Sequence, residues 1–185
     1  PVARARVLTH GRSPASAQSV FFTPPSPDAP LAAAFDIGTT TLVCSLLDQS
    51  AGRELAVCGA QNPQATFGAD VMARLLYASE HGGSALQEAV VSGMNALLEE
   101  VCASAHVATS RITQLSAAGN SAMQTLLLGR SPASLTRPPY RPDACDAVTI
   151  FADALELRAG PDACLHLFPL IGGFVGGDTA ACLLA

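Results

Sequence analysis

The 185-residue chain contains no lysine and no tryptophan; all ten of its basic residues are arginine. Without lysine, a Walker-type phosphate loop, a Schiff-base enzyme and a serine–lysine hydrolase are excluded together, since each needs that amine. Charged residues make up only 14%, and the net charge is −5. With no basic run, a nucleic-acid or anionic-membrane partner would lack the cationic surface it needs. Long apolar runs are missing too. The most apolar stretch, 167–177, is broken by Pro169 and four glycines and ends at Asp178, well short of the roughly 20 apolar residues of a membrane span. No charged-then-apolar leader opens the chain. The six cysteines form no CxxC pair and the four histidines no HExxH pair. Zinc or iron–sulfur ligation by this chain alone is therefore not expected, nor is a disulfide framework. The expectation is buried, reduced thiols in a cytoplasmic protein.

What is present is apolar: 49% of residues are hydrophobic, enough for a real core in a chain of this length. Pro1 opens the sequence and an apolar, helix-like run, 178–185, closes it, so the expectation is a piece of a longer protein. Residues 1–30 read as the end of a preceding domain, with a strand at Val2–Leu8, followed by a proline-rich linker. From residue 31 three β-like runs follow: Leu31–Ile37, Leu42–Leu47 and Glu54–Ala60. The turns between them predict an antiparallel meander. Helical spacing appears next, over Ala69–Ser79 and Ser84–Ala105, with Ser84 as N-cap and Gln87 in a capping box. Arg111–Ala117 is a fourth strand, Ala122–Leu128 a helix, Cys164–Phe168 a fifth strand, and Asp178 starts a last helix. Residues 130–162, rich in Pro and Arg, carry no clear assignment. Helical crossovers imply parallel pairing, giving an α/β fold with a mixed five-stranded sheet in the order 3-2-1-4-5 and helices on both faces.

Three stretches carry chemistry. In Asp36-Ile37-Gly38-Thr39-Thr40-Thr41, a hairpin with Gly38 at its tip lets backbone N–H groups approach a phosphate. Three hydroxyls add donors, and Asp36 can hold a hydrated magnesium ion; an ordinary Asp-Gly hairpin turn is the plain alternative. Gly172-Gly173-Phe174-Val175-Gly176-Gly177-Asp178 makes an anion-accessible corner at a helix start, where Asp178 is equally a good N-cap. Gly119-Asn120-Ser121 sits at a strand-to-helix junction, where ligands bind in open α/β sheets. It falls short of a hydrolase nucleophile elbow because Met123 stands where the last glycine belongs.

The meander, the Asp-x-Gly-Thr-Thr hairpin and the element order resemble the first subdomain of the actin-like ATPase (ribonuclease H-like) superfamily. The Gly177-Asp178-Thr179-Ala180-Ala181 stretch is similar to that of carbohydrate kinases, whose aspartate is the catalytic base. A narrower resemblance, over 31–185, is to the reductive activators of corrinoid proteins. It is carried by Ala34–Thr41, Asn62-Pro63-Gln64, Phe67-Gly68-Ala69-Asp70-Val71, Gly119-Asn120-Ser121-Ala122-Met123 and Gly173–Thr179. It implies an ATP-dependent protein that restores cobalt(I) from a cobalt(II) corrinoid. The electrons would come from a 2Fe–2S cluster in a domain N-terminal to this chain, and the second phosphate motif would follow it, so this piece alone would be inactive. ATP would shift a clamp between two states. Asp36 and Asp178 would position magnesium, through water, and the attacking water. Gly38, Thr39, Thr40, Thr41, Asn120, Gly176 and Gly177 would contact the nucleotide. Phe67–Asp70 is a candidate loop for the corrinoid-protein partner, and the reading leaves room for a homodimer. A small-molecule kinase with Asp178 as base, and a non-catalytic ATP-gated binding module, remain as alternatives.

Overall fold

The first two strands bury every second residue, as a period-2 pattern requires. In β1 (Leu31–Ile37), Leu31, Ala33, Phe35 and Ile37 are buried; in β2 (Thr41–Asp48), Leu42, Cys44, Leu46 and Asp48 are. The computed structural model describes residues 25–184, apart from Pro27 and Phe174. The strand expected at Val2–Leu8 and most of the proline-rich linker lie outside these residues. The short stretch before β1 is tied down: the Arg111 guanidinium donates to the Ser26 and Ala29 carbonyls at 2.9 and 3.1 Å.

β2 and β3 (Arg53–Gln61) complete the antiparallel meander, and β1 pairs parallel with β4 (Ile112–Gly119). A register shift where Leu31 and Ala32 face Ile112 and Gln114 adds a residue to β4. It changes the phase of the buried positions, so Ile112 is followed by Leu115 and Ala117. β6 (Cys164–Leu167) lies parallel to β4, in the place expected for a fifth strand. The sheet nevertheless has six strands, in the order β3-β2-β1-β4-β6-β5. The additional strand, β5 (Val148–Phe151), adds antiparallel to the edge of β6. At four residues it was too short to stand out within the Pro- and Arg-rich stretch.

α1 (Val71–His81) and α2 (Ser84–Ser104) follow the meander. α2 lays Leu86, Val90, Met94, Leu97, Leu98 and Val101 against β2 and β3, each such side chain contributing about 1.5–3 kcal/mol by leaving water. The expected Ser84 cap is not formed. Gly83 holds the cap position with no side-chain bond, and Gln87 donates instead to the Leu127 carbonyl at 2.8 Å. That long-range bond fixes α2 against α3 (Ser121–Leu127), a helix buried at all seven positions. On the other side of the sheet, Ala34, Ser45 and Ser116 are only half-buried, and α4 (Gly177–Leu184) packs on β4. All six cysteines are free, and Cys44 and Cys102 are buried as expected; Cys145 and Cys182, by contrast, are exposed. No helix among the described residues is long and apolar enough to cross a membrane.

Candidate functional site

The three chemistry-bearing stretches meet at one end of the sheet. The β1–β2 turn closes with a Gly38 N–H to Thr41 carbonyl bond of 3.0 Å. A Cβ at position 38 would lie 2.6 Å from that same oxygen, so only glycine fits this turn. Among the described residues neither the Thr39 nor the Thr40 N–H finds an acceptor. Two open, neighbouring backbone donors at an accessible turn are the elements of an anion nest.

Behind the turn stands Asn62, fully buried. Its backbone N–H donates to the Thr40 carbonyl at 2.8 Å and its Nδ2 to the Gly38 carbonyl at 2.9 Å. Its Oδ1 accepts from Gln64 N–H at 3.0 Å, and Gln64 Nε2 reaches the Leu86 carbonyl at 2.9 Å. The turn's carbonyls are thereby engaged on the protein side, which leaves its N–H side for a ligand. In the sequence, Asn62-Pro63-Gln64 stood out only as one of the stretches carrying the family resemblance, not for this bracing role. No local pattern marked it, because what distinguishes Asn62 is its burial in the assembled fold.

Asn120 links the turn to α3. Its Oδ1 caps the helix by accepting from Met123 N–H at 3.0 Å, and its Nδ2 donates to Thr39 Oγ1 at 3.1 Å. Ser121 uses its hydroxyl to hold the Gly172 carbonyl. The glycine-rich loop is thereby fastened to the same corner. A Cβ on Gly176 would fall 2.4 Å from the Gly119 carbonyl oxygen and 2.5 Å from Asn120 Cα, so the backbones touch where a side chain would force them apart.

That close approach delivers Asp178, in the first turn of α4, to Asp36 at the end of β1. Asp36 is exposed, and its carboxylate accepts no hydrogen bond among the described residues. Its pKa is pushed above the ordinary carboxylate value, first by partial burial and second by the negative charge of Asp178. Asp178 does not cap α4 in the usual way; its Oδ1 accepts from the next residue, Thr179 N–H, at 2.7 Å. Two carboxylates near enough to repel one another, beside open backbone donors, suit a hard cation bound together with a phosphate. No group of three or more His, Cys, Asp or Glu gathers among the described residues. Magnesium held by this pair would complete its shell with water and phosphate oxygens.

The Phe67–Asp70 stretch serves the fold first. Asp70 caps α1 by accepting from Ala73 N–H at 2.8 Å, and the Phe67 ring lies 5.1 Å from that of Tyr77.

An antiparallel meander joined to a parallel β4, with a phosphate-type turn facing an acidic helix start, defines the first part of an actin-like subdomain. A family model described as the RACo middle region matches residues 31–185, and the chain belongs to that family. It is 37% identical over 153 residues to a corrinoid activation enzyme, RamQ, of Eubacterium limosum, covering 82% of this chain and 26% of that protein. It superposes on the structure of a reductive activator for corrinoid, iron–sulfur protein with a TM-score of 0.82 and 32% identity. That match covers 86% of this chain and 26% of the other. The chain thus spans about a quarter of the length of each relative.

Proposed function

We propose that this chain is the nucleotide-binding part of an ATP-dependent reductive activator that returns a cobalt(II) corrinoid protein to cobalt(I). The observation that carries the reading is the meeting of Asp36 and Asp178 at the open Gly38–Thr41 turn. The relatives, named as corrinoid activators, support the choice of redox partner. In this reading the Thr39 and Thr40 N–H groups and the threonine hydroxyls receive phosphate oxygens, with Gly176 and Gly177 shaping the opposite wall. Asp36 and Asp178 would hold magnesium through water and would orient the water that attacks the terminal phosphorus, yielding ADP and phosphate. A magnesium ion so held neutralises charge that develops on the phosphate oxygens, which is most of what phosphoryl transfer requires. Asn120 and Asn62 keep the turn in place. The single electron that reduces cobalt(II) to cobalt(I) would be supplied by a reduced iron–sulfur cluster outside this chain, which would be oxidised by one electron. ATP acts by favouring the conformation in which the corrinoid protein is bound productively.

The test uses the full-length protein with its cluster reduced. Cobalt(I) should form from the cobalt(II) corrinoid protein only with magnesium and ATP, and ATP hydrolysis should rise when the corrinoid protein is added. Phosphate transfer to a small molecule would instead identify a kinase. Tight ATP binding without turnover would identify a gated binding module.

A further inference from the structure

Only two charged side chains are buried among the described residues, Asp48 and Arg74, at 3% and 1% exposure. Asp48 is satisfied by its own turn. Arg74, on α1, has no ion-pair partner within 4 Å; the one salt bridge among the described residues joins Arg158 and Glu99. Its Nε donates to the Gly68 carbonyl at 2.9 Å, and one terminal nitrogen lies 3.7 Å from the Met123 thioether sulfur. Both are neutral acceptors. The acid that acts on it, Asp70, is one turn away and spends an oxygen on the helix cap. An isolated buried cation is costly, and a neutral side chain of similar length would serve packing as well or better.

Its position gives the charge a purpose. The Met123 sulfur that Arg74 touches also receives Asn62 Nδ2 at 3.8 Å, and the same amide nitrogen holds the Gly38 carbonyl. A Cβ on Gly119 would meet both the Ile37 and Met123 Cβ atoms, so Met123 lies on the Ile37 side of β1. Asp36, the neighbouring residue, projects to the other side. The guanidinium is therefore separated from the two carboxylates by the strand, and Asp36 sits above its ordinary pKa with no cation among the causes. The charge is not used up within the protein's own acidic pair.

We propose that Arg74 is a positioning residue for the phosphates of a bound nucleotide. Its buried cation lies behind the Gly38–Thr41 turn, opposite the two carboxylates, and draws the phosphates onto the open N–H groups. This rests on the nucleotide reading above. Because the guanidinium is shielded from solvent, salt screens its field weakly. Its effect should also grow with the charge on the ligand.

The experiment compares wild type, Arg74→Lys and Arg74→Met in the full-length protein, measuring affinity for ATP, ADP and AMP with magnesium, and unliganded melting. Arg74→Met should weaken ATP binding about tenfold, ADP less and AMP least, as a charge–charge interaction requires. Its unliganded melting temperature should change little, because the lost bond to the Gly68 carbonyl offsets the relief of an unpaired buried charge. Arg74→Lys should stay within about threefold of wild type, since the positive charge is retained at the same site. Equal losses for all three nucleotides would mark a packing role and overturn the proposal, as would unchanged affinity. Failure of Arg74→Met and a second neutral variant, Arg74→Gln, to fold while Arg74→Lys folds would show that the charge serves the fold, and would also overturn it. A wild-type protein that binds none of the nucleotides would overturn the nucleotide reading itself, an outcome visible before any variant is made.

Discussion

Two turns in this chain share their ingredients, though in different order: an aspartate at or next to a strand end, a glycine, a few polar residues and a new strand. After β2, the Asp48 carboxylate is consumed by its own turn. Its Oδ1 accepts from Ser50 N–H at 3.0 Å, Ser50 Oγ at 2.6 Å and Ala51 N–H at 3.1 Å. These bonds, the Ser50 hydroxyl first, hold its pKa below the ordinary value. After β1, the Asp36 carboxylate is used by nothing in its turn and faces another carboxylate, and its pKa moves the other way. Hydrogen bonds that favour the charged form fit a structural aspartate; an uncompensated charge makes Asp36 a candidate for contact with a ligand.

Their contributions to stability should have opposite signs with pH. Asp48, lowered in the fold, contributes stability above its unfolded pKa, and that is lost as pH falls through the folded value. Asp36, raised in the fold, disfavours folding once pH exceeds both values, and acid relieves the penalty.

The widest separation between the two turns should appear in catalysis. Asp36→Asn in the full-length protein should reduce magnesium-dependent ATP hydrolysis on the order of 100-fold, and Asp178→Asn should act in the same direction. Asp48→Asn should leave hydrolysis unchanged. A steady-state phosphate-release assay on the three variants checks this, and equal rates for Asp36→Asn and wild type would erase the distinction.

Gly38→Ala should come next. Its new methyl group would press on the Thr41 carbonyl oxygen, costing about 1–3 kcal/mol by analogy with other forced overpacking and weakening ATP binding. Chemical denaturation and nucleotide titration measure both effects. Gly52→Ala offers the contrast: a Cβ there meets nothing within 4 Å, so any cost comes from its φ of +62° alone.

A smaller effect is expected for Asp48→Ala, which removes three hydrogen bonds from the β2–β3 turn. The melting temperature should fall at neutral pH, and the difference from wild type should shrink as pH drops below the ordinary carboxylate range. A difference that persists in acid would mean the carboxylate's charge is not what stabilises the turn.

The periodic parts of this molecule were readable from sequence. Alternation in β1 and β2 and the apolar stripe of α2 are local patterns that tertiary packing reinforces, and the crossover logic placed β4 and β6 correctly. β5 was not readable because its four residues pair only at a sheet edge, through contacts that arise after β6 is in place. The site was legible in part. Asp36, Gly38 and Asp178 stood out because glycines let the backbone approach an anion and a carboxylate beside them can hold its counter-cation. Asn62 and Arg74 did not, since what distinguishes them is burial, a property of the assembled fold. Ser84 misled for a related reason: a cap signal was present, but a long-range bond from Gln87 to α3 took its partner residue.

The comparison turns finally on whether the penalty at Asp36 is removed by what the site binds. Thermal melting of full-length wild type and Asp36→Asn, each with and without magnesium and ATP, tests this directly. Without ligand, Asp36→Asn should melt slightly higher, by less than about 1 kcal/mol, because the carboxylate is partly exposed and its repulsion with Asp178 is screened. With magnesium and ATP the order should reverse, wild type being the more stable. The same order in both conditions would contradict the assignment of Asp36 and Asp178 to a magnesium–nucleotide site.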